Sequence, residues 1–91
     1  QLVKIVTFVP ESHAAAVRDA MARAGAGVIG AYTHCSFGLD GTGTFLPGAG
    51  TNPYSGAKGQ VNEEPERRVE MPAPAARTNA VLAALRGAHP Y

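Results

Sequence analysis

One arrangement occurs twice in this chain and limits what it can fold into. "LVKIVTFVP" is rich in β-branched residues and alternates as a strand does, with Val3, Ile5 and Thr7 on one face and Leu2, Val6 and Phe8 nearer the other. Pro10 closes that strand. "ESHAAAVRDAMARAG" follows with apolar residues at Ala14, Val17, Met21 and Ala24, the spacing of an amphipathic helix of about four turns that Gly25 stops. The same order returns near the other end. "RRVEMPAP" reads as a strand, and "AARTNAVLAALRG" reads as a helix with Val81, Leu82 and Leu85 inward and Gly87 at its end. Pro10 precedes Val17 by seven residues and Met21 by eleven; Pro74 precedes Val81 by seven and Leu85 by eleven. Strand, proline, helix and glycine in matched spacing predict two related halves.

Between the halves, "AYTHCSF" and "GTGTFLP" read as two further strands joined by "GLDG", in which Asp40-Gly41 favours a tight hairpin. The predicted order is β, α, β, β, a long loop, β, α. This is an α+β chain, and the expectation is a ferredoxin-like sandwich of split βαβ units, with two helices on one face of an antiparallel sheet. Such a fold ends in a strand after its second helix, whereas this sequence reaches only "GAHPY", so the last strand is expected to be missing or disordered, or its edge covered by another copy. "LPGAGTNPYSGAKGQ" holds too much glycine and proline for a helix or strand. It is longer than a compact domain tolerates without purpose, and Pro47, Pro53 and Tyr54 favour an ordered loop that packs on a neighbour or lines a pocket.

A chain of 91 residues buries one core, so residues 1–91 are expected to form a single domain. Charged residues make up 16%, below the average of about 25%, and apolar ones 45%, which argues for a folded chain. Eight Lys and Arg against seven Asp and Glu give a net charge of +1, and the basic residues are scattered, which excludes the electrostatic footprint of a nucleic-acid binder. A single Cys excludes an internal disulfide framework and paired-Cys zinc sites. No apolar run approaches the roughly 18 residues of a membrane span. The expected setting is soluble and cytoplasmic, away from membranes, and the initial Gln in place of Met implies that the natural chain begins earlier.

Several strings carry possible chemistry. "GAGVIG", Gly25 to Gly30, matches G-x-G-x-x-G, but it follows a helix and leads into a predicted strand, the reverse of a dinucleotide fingerprint, so it reads as a helix stop and tight turn. His34 and Cys35 are soft-metal ligand types, and a neighbouring imidazolium activates a thiol. On a strand, however, adjacent residues point to opposite faces, so the expectation leans to a core cysteine. The alternative partners of His34 in a metal site are His13, His89 or one of Glu63, Glu64, Glu66 and Glu70, although no paired-ligand motif is present. In "VNEEPERRVE", Arg67 or Arg68 has the fork that clamps an anion; the commoner reading is a solvated strand edge with mutual ion pairs.

The stretch from "GAGVIGAYTHCSFGLDGTGTFLPGAGTNPYSGAKGQVNEEPERRVEMPAP" to "AVLAALRGAHPY" resembles the small CutA-like, PII-like domain inserted in bacterial proteins of the NIF-three-like family, hexameric dinuclear-metal proteins often named GTP cyclohydrolases of the second type. The carrying residues are Cys35-Ser36-Phe37, the Gly-Thr-Gly-Thr-Phe-x-Pro string and Asn52-Pro53. The resemblance covers nearly the whole chain. It implies a ferredoxin-like domain that assembles into trimers and carries a fourth strand after "HPY". The metal ligands of the full-length relatives lie in flanking domains that no stretch here matches, so neither their metal centre nor a hydrolase activity carries over.

The expected function is therefore a non-catalytic homo-oligomeric module, regulatory or small-ligand-binding, whose interface or cleft uses Tyr32, His34, Cys35, Ser36, Thr42, Thr44, Asn52, Tyr54, Glu64, Glu66 and Arg68. The alternatives are a divalent-metal binder like CutA, using His34 and Cys35, and a fragment of a GTP cyclohydrolase-type protein. A catalytic Cys35 requires a base beside it.

Overall fold

The computed structural model describes residues 1–48, 50 and 59–91. Their order is β1 (Leu2–Val9), α1 (Glu11–Arg23), β2 (Phe37–Phe45), β3 (Asn62–Pro74), a short 3-10 turn (Ala75–Arg77) and α2 (Thr78–Ala88). The three strands form one antiparallel sheet in the order β1-β3-β2.

Both helices lie where their spacing predicts. Ala14, Val17 and Met21 are the buried residues of α1, and Val81 is that of α2. They close over Ile5 and Val9 of β1 and Val69, Met71 and Ala73 of β3, with Leu82 and Leu85 partly buried against this core. Alternation sends the other side chains of β1 to the opposite face, as the sequence predicts. One boundary differs: α2 runs through Gly87 to Ala88, and His89 turns extended, so Gly87 is not its stop.

The middle of the chain departs from the sequence reading. No strand forms over "AYTHCSF"; β2 begins only at Phe37. Positive φ at Gly27 (84°), Gly30 (58°) and His34 (58°) breaks the extended path before alternation can act. Ile29 and Tyr32 exchange both backbone hydrogen bonds across Gly30-Ala31, a two-residue turn whose first position needs the φ that glycine supplies. The connector is stitched down at Gly27, whose N–H donates to the Pro72 carbonyl at 2.7 Å while its own carbonyl accepts from Cys35 N–H at 2.8 Å.

Nor is Asp40-Gly41 a hairpin turn. Both lie inside β2, opposite Arg67 and Glu66 of β3. The tendency of Asp-Gly to turn is overridden because the 13-residue β3 is long enough to pair with β2 at one end and β1 at the other. β3 is consequently the central strand rather than an edge. Its prolines are tolerated for a geometric reason. Only Arg67 to Glu70 is flanked on both sides, and Pro65, Pro72 and Pro74 each have a paired strand on one side, so a missing N–H can face the unpaired side.

Candidate functional site

The register sorts the polar residues onto two faces. On the helix side, Arg67 stands directly opposite Asp40, and its long stem runs across β2 past Gly38, where an added Cβ would lie 3.3 Å from Arg67 Cδ. Its guanidinium then joins three elements: Nε donates to Asp40 Oδ1 at 3.1 Å, and Nη2 donates to Glu11 at the start of α1, 2.6 Å from Oε2 and 2.8 Å from Oε1. Two carboxylates thus fix the plane of one half-buried guanidinium. Arg18 of α1, Ser36, Gly38, Asp40 and Arg67 line a cleft of about 260 Å³ between the helix and the uncovered part of β2.

Among the described residues, no helix covers the opposite face of the sheet. Leu2, Val6 and Phe8 of β1 share it with Phe37 and Leu39 of β2, and Phe8, Phe37 and Leu39 are all more than half exposed. Arg68 sits among them, its Cζ 6.0 Å from the Phe8 ring centroid and its Nε 2.8 Å from Glu70 Oε2, while Lys4 pairs with the other oxygen of Glu70. A shallow furrow runs between Phe8 and Leu39 over Gly41 and Gly43, with Glu66 and Arg68 at its margins. The Glu66 side chain lies directly over Gly43, where an added Cβ would meet its carboxylate end and push it aside.

The residues expected to act together fall in separate places. Tyr32 is exposed on the two-residue turn. His34 is exposed in the left-handed region, with Nδ1 3.2 Å from Thr33 Oγ1 and Nε2 3.7 Å from Asp19 Oδ1. Cys35 is half-buried, its Sγ 3.9 Å from the Thr33 carbonyl. Ser36 lines the cleft. Thr42 and Thr44 share a face with Asp40, on the helix side of β2, whereas Glu64, Glu66 and Arg68 share the open face. Asn52, Pro53 and Tyr54 lie outside the described residues, as does most of the loop expected over Leu46 to Gln60; of its described residues, Gly59 N–H donates to the Pro47 carbonyl at 3.0 Å.

No group of three His, Cys, Asp or Glu residues gathers among the described residues in a form that could hold a metal ion. Nor is any helix among them long and apolar enough to cross a membrane. Of the mutual ion pairs expected within "VNEEPERRVE", Arg68 makes one with Glu70, whereas Arg67 pairs outside the run with Glu11 and Asp40. Sequence reading passed over Arg18 and Glu11, whose roles depend on where α1 lies against β2 and β3, and nothing in their local spacing signals it.

Over 99% of its length the chain is 49% identical to a Mycobacterium leprae protein and 46% identical to one from Halalkalibacterium halodurans, each named GTP cyclohydrolase 1 type 2 homolog. A solved structure of a Bacillus cereus protein related to NIF3 superposes with a TM-score of 0.85 at 44% identity, again over 99% of this chain. The chain resembles a segment of NIF3-related proteins. It spans 24% of the H. halodurans protein, 23% of the M. leprae protein and 22% of the B. cereus chain, so about a quarter of the length of these NIF3-related relatives corresponds to it. No family model matches the chain.

Proposed function

We propose that this chain is a non-catalytic, self-associating module of the NIF-three-like family, with a CutA-like, PII-like ferredoxin architecture and a regulatory, small-ligand-binding role within longer proteins. The observation that carries the reading is the open sheet face. Phe8, Phe37 and Leu39 are exposed there beside Leu2 and Val6. Two apolar rows, Leu2, Val6 and Phe8 on β1 and Phe37 and Leu39 on β2, flank a charged row of Arg68 and Glu70 on the central strand, and exposed apolar groups gathered on one face to this extent are what association between copies uses.

The edge of β1 supports the same architecture. His89 Nε2 lies 2.5 Å from the Phe8 carbonyl, which shows that the Phe8 main chain points away from β3. Antiparallel alternation then directs the main-chain groups of Lys4 and Val6 outward as well. The chain leaving α2 in an extended conformation at His89 stands at the Val9 end of that edge, where a fourth strand antiparallel to β1 would begin. Solution molar mass tests the reading: a trimer is expected for the wild-type chain, a Phe8→Glu variant is expected to dissociate, and a monomeric wild type would overturn it.

The second reading, a segment of a GTP cyclohydrolase-type protein, is favoured by the names of the relatives. On this reading the segment contributes assembly or regulation while the chemistry resides elsewhere. Incubation of this chain with GTP is expected to release no product, and turnover would overturn the non-catalytic assignment.

A further inference from the structure

The cleft on the helix side of β2 has a charge pattern that the open face does not explain. Its lining has two guanidinium groups and one carboxylate, and Glu11 beside it also pairs with Arg67, so both carboxylates are engaged by Arg67 and the cation left unpaired among the described residues there is Arg18. Arg67 is held in place by Glu11 and Asp40 through Nη2 and Nε, which leaves Nη1 without a partner among the described residues. Arg18 follows Val17 on α1, so it leaves the helix at the border of the buried stripe and reaches the cleft half-buried. It has no ion-pair or hydrogen-bond partner among the described residues, unlike Arg23, which pairs with Asp19, and Arg77, which bonds to a carbonyl. The hydroxyl of Ser36 is likewise uncommitted there.

A half-buried guanidinium without a counter-charge is costly, and the groups beside it are donors aimed from three different elements. We propose that this cleft binds a small oxoanion, of the phosphate or carboxylate type, between Arg18, Arg67 and the Ser36 hydroxyl. The cleft's 260 Å³ lies below the roughly 300–1,000 Å³ of pockets for drug-sized ligands, which matches a single oxoanion group or the anionic end of a larger molecule. Arg67 supplies a donor whose orientation is set in advance, and Arg18 supplies the charge left to be neutralised. Asp40 lies on the same wall and opposes a multiply charged anion, which keeps affinity modest, in the millimolar range.

The proposal names the ligand class for the binding half of the proposed function and rests on that half. Self-association is on the other face of the sheet, so the two fail separately. The test is titration of the folded chain with inorganic phosphate, and in a second arm with acetate, followed by amide and guanidinium NMR signals, with molar mass recorded on the same samples. Saturable shifts confined to Arg18, Ser36, Gly38 and Arg67 and weakened by sodium chloride are expected. A response to either anion alone or to both supports the oxoanion class and tells phosphate from carboxylate chemistry.

Arg18→Ala is expected to weaken binding by about 10-fold or more, the loss of a charge-assisted contact, while Arg18→Lys retains part of it. Because Arg18 is not in the core, its variants are expected to keep the wild-type amide dispersion. Arg86→Ala, a cation lost from α2, should leave the affinity unchanged. Uniform, non-saturating shifts would overturn the proposal, as would equal affinity in wild type and Arg18→Ala. A change in molar mass with unchanged anion binding would bear only on the self-association half.

Discussion

Arg77, at the entry to α2, donates two hydrogen bonds to the carbonyl of Ala24 at the end of α1, from Nε at 3.0 Å and from Nη2 at 2.8 Å. The second strand–proline–helix unit thereby caps the first, a guanidinium answering the exposed carbonyls and the negative end of the α1 dipole. Arg77→Ala is expected to lower unfolding stability by about 1–3 kcal/mol, toward the lower end because the site is exposed to water, with Arg77→Lys recovering only part. Chemical denaturation midpoints would measure this; an unchanged midpoint for the alanine variant would remove the capping role.

Gly27 and Gly30 both have positive φ, yet they should respond differently to alanine. At Gly27 the added Cβ would lie 2.9 Å from Cys35 N, from Cys35 O and from Met71 Cε, so the penalty combines backbone strain with collision against main chain that cannot rotate away. At Gly30 nothing lies within 4 Å. Gly30→Ala is expected to cost about 1 kcal/mol from conformation alone, and Gly27→Ala about 3 kcal/mol or more. Equal thermal shifts for the two variants would contradict the packing argument.

Asp40 and Glu11 hold Arg67 jointly, and each exposed carboxylate is worth little by itself. Asp40→Asn and Glu11→Gln should each cost about 0.2–1 kcal/mol, and less as salt is added. If the shared guanidinium couples them, the double variant will depart from the sum of the singles. A double-mutant cycle at low and high ionic strength measures the coupling, and strict additivity would show that the two contacts act independently.

Met71 is fully buried on the helix side of the central strand, and Phe8 is exposed on the other. Met71→Ala should therefore cost about 2–5 kcal/mol at any protein concentration. Phe8→Glu should leave the stability of a dilute chain almost unchanged while reducing molar mass at high concentration. Concentration-dependent melting separates the two: a large stability loss for Phe8→Glu in dilute samples would place that ring in the core rather than at an interface.

Periodicity made both helices legible, since Ala14, Val17, Met21 and Val81 recur at the spacing of a buried helical face and Pro10 and Pro74 mark the entries. The β1 faces were legible for the same local reason. Cys35 and His34 were not, because their directions depend on a backbone that leaves the extended region at His34 (φ 58°), a conformation the alternating string "AYTHCSF" does not announce.

The sequence alone determined the two strand–proline–helix halves and the inward faces of the two helices, because those follow from spacing within a few residues. Only the tertiary structure decided that Asp40-Gly41 lies inside a strand opposite Arg67 and Glu66, that β3 is central, and that Arg18 shares a cleft with Arg67. Those outcomes turn on which distant strand pairs with which, and in what register. A shift of one residue would exchange the two faces of β2, so no local pattern carries the choice.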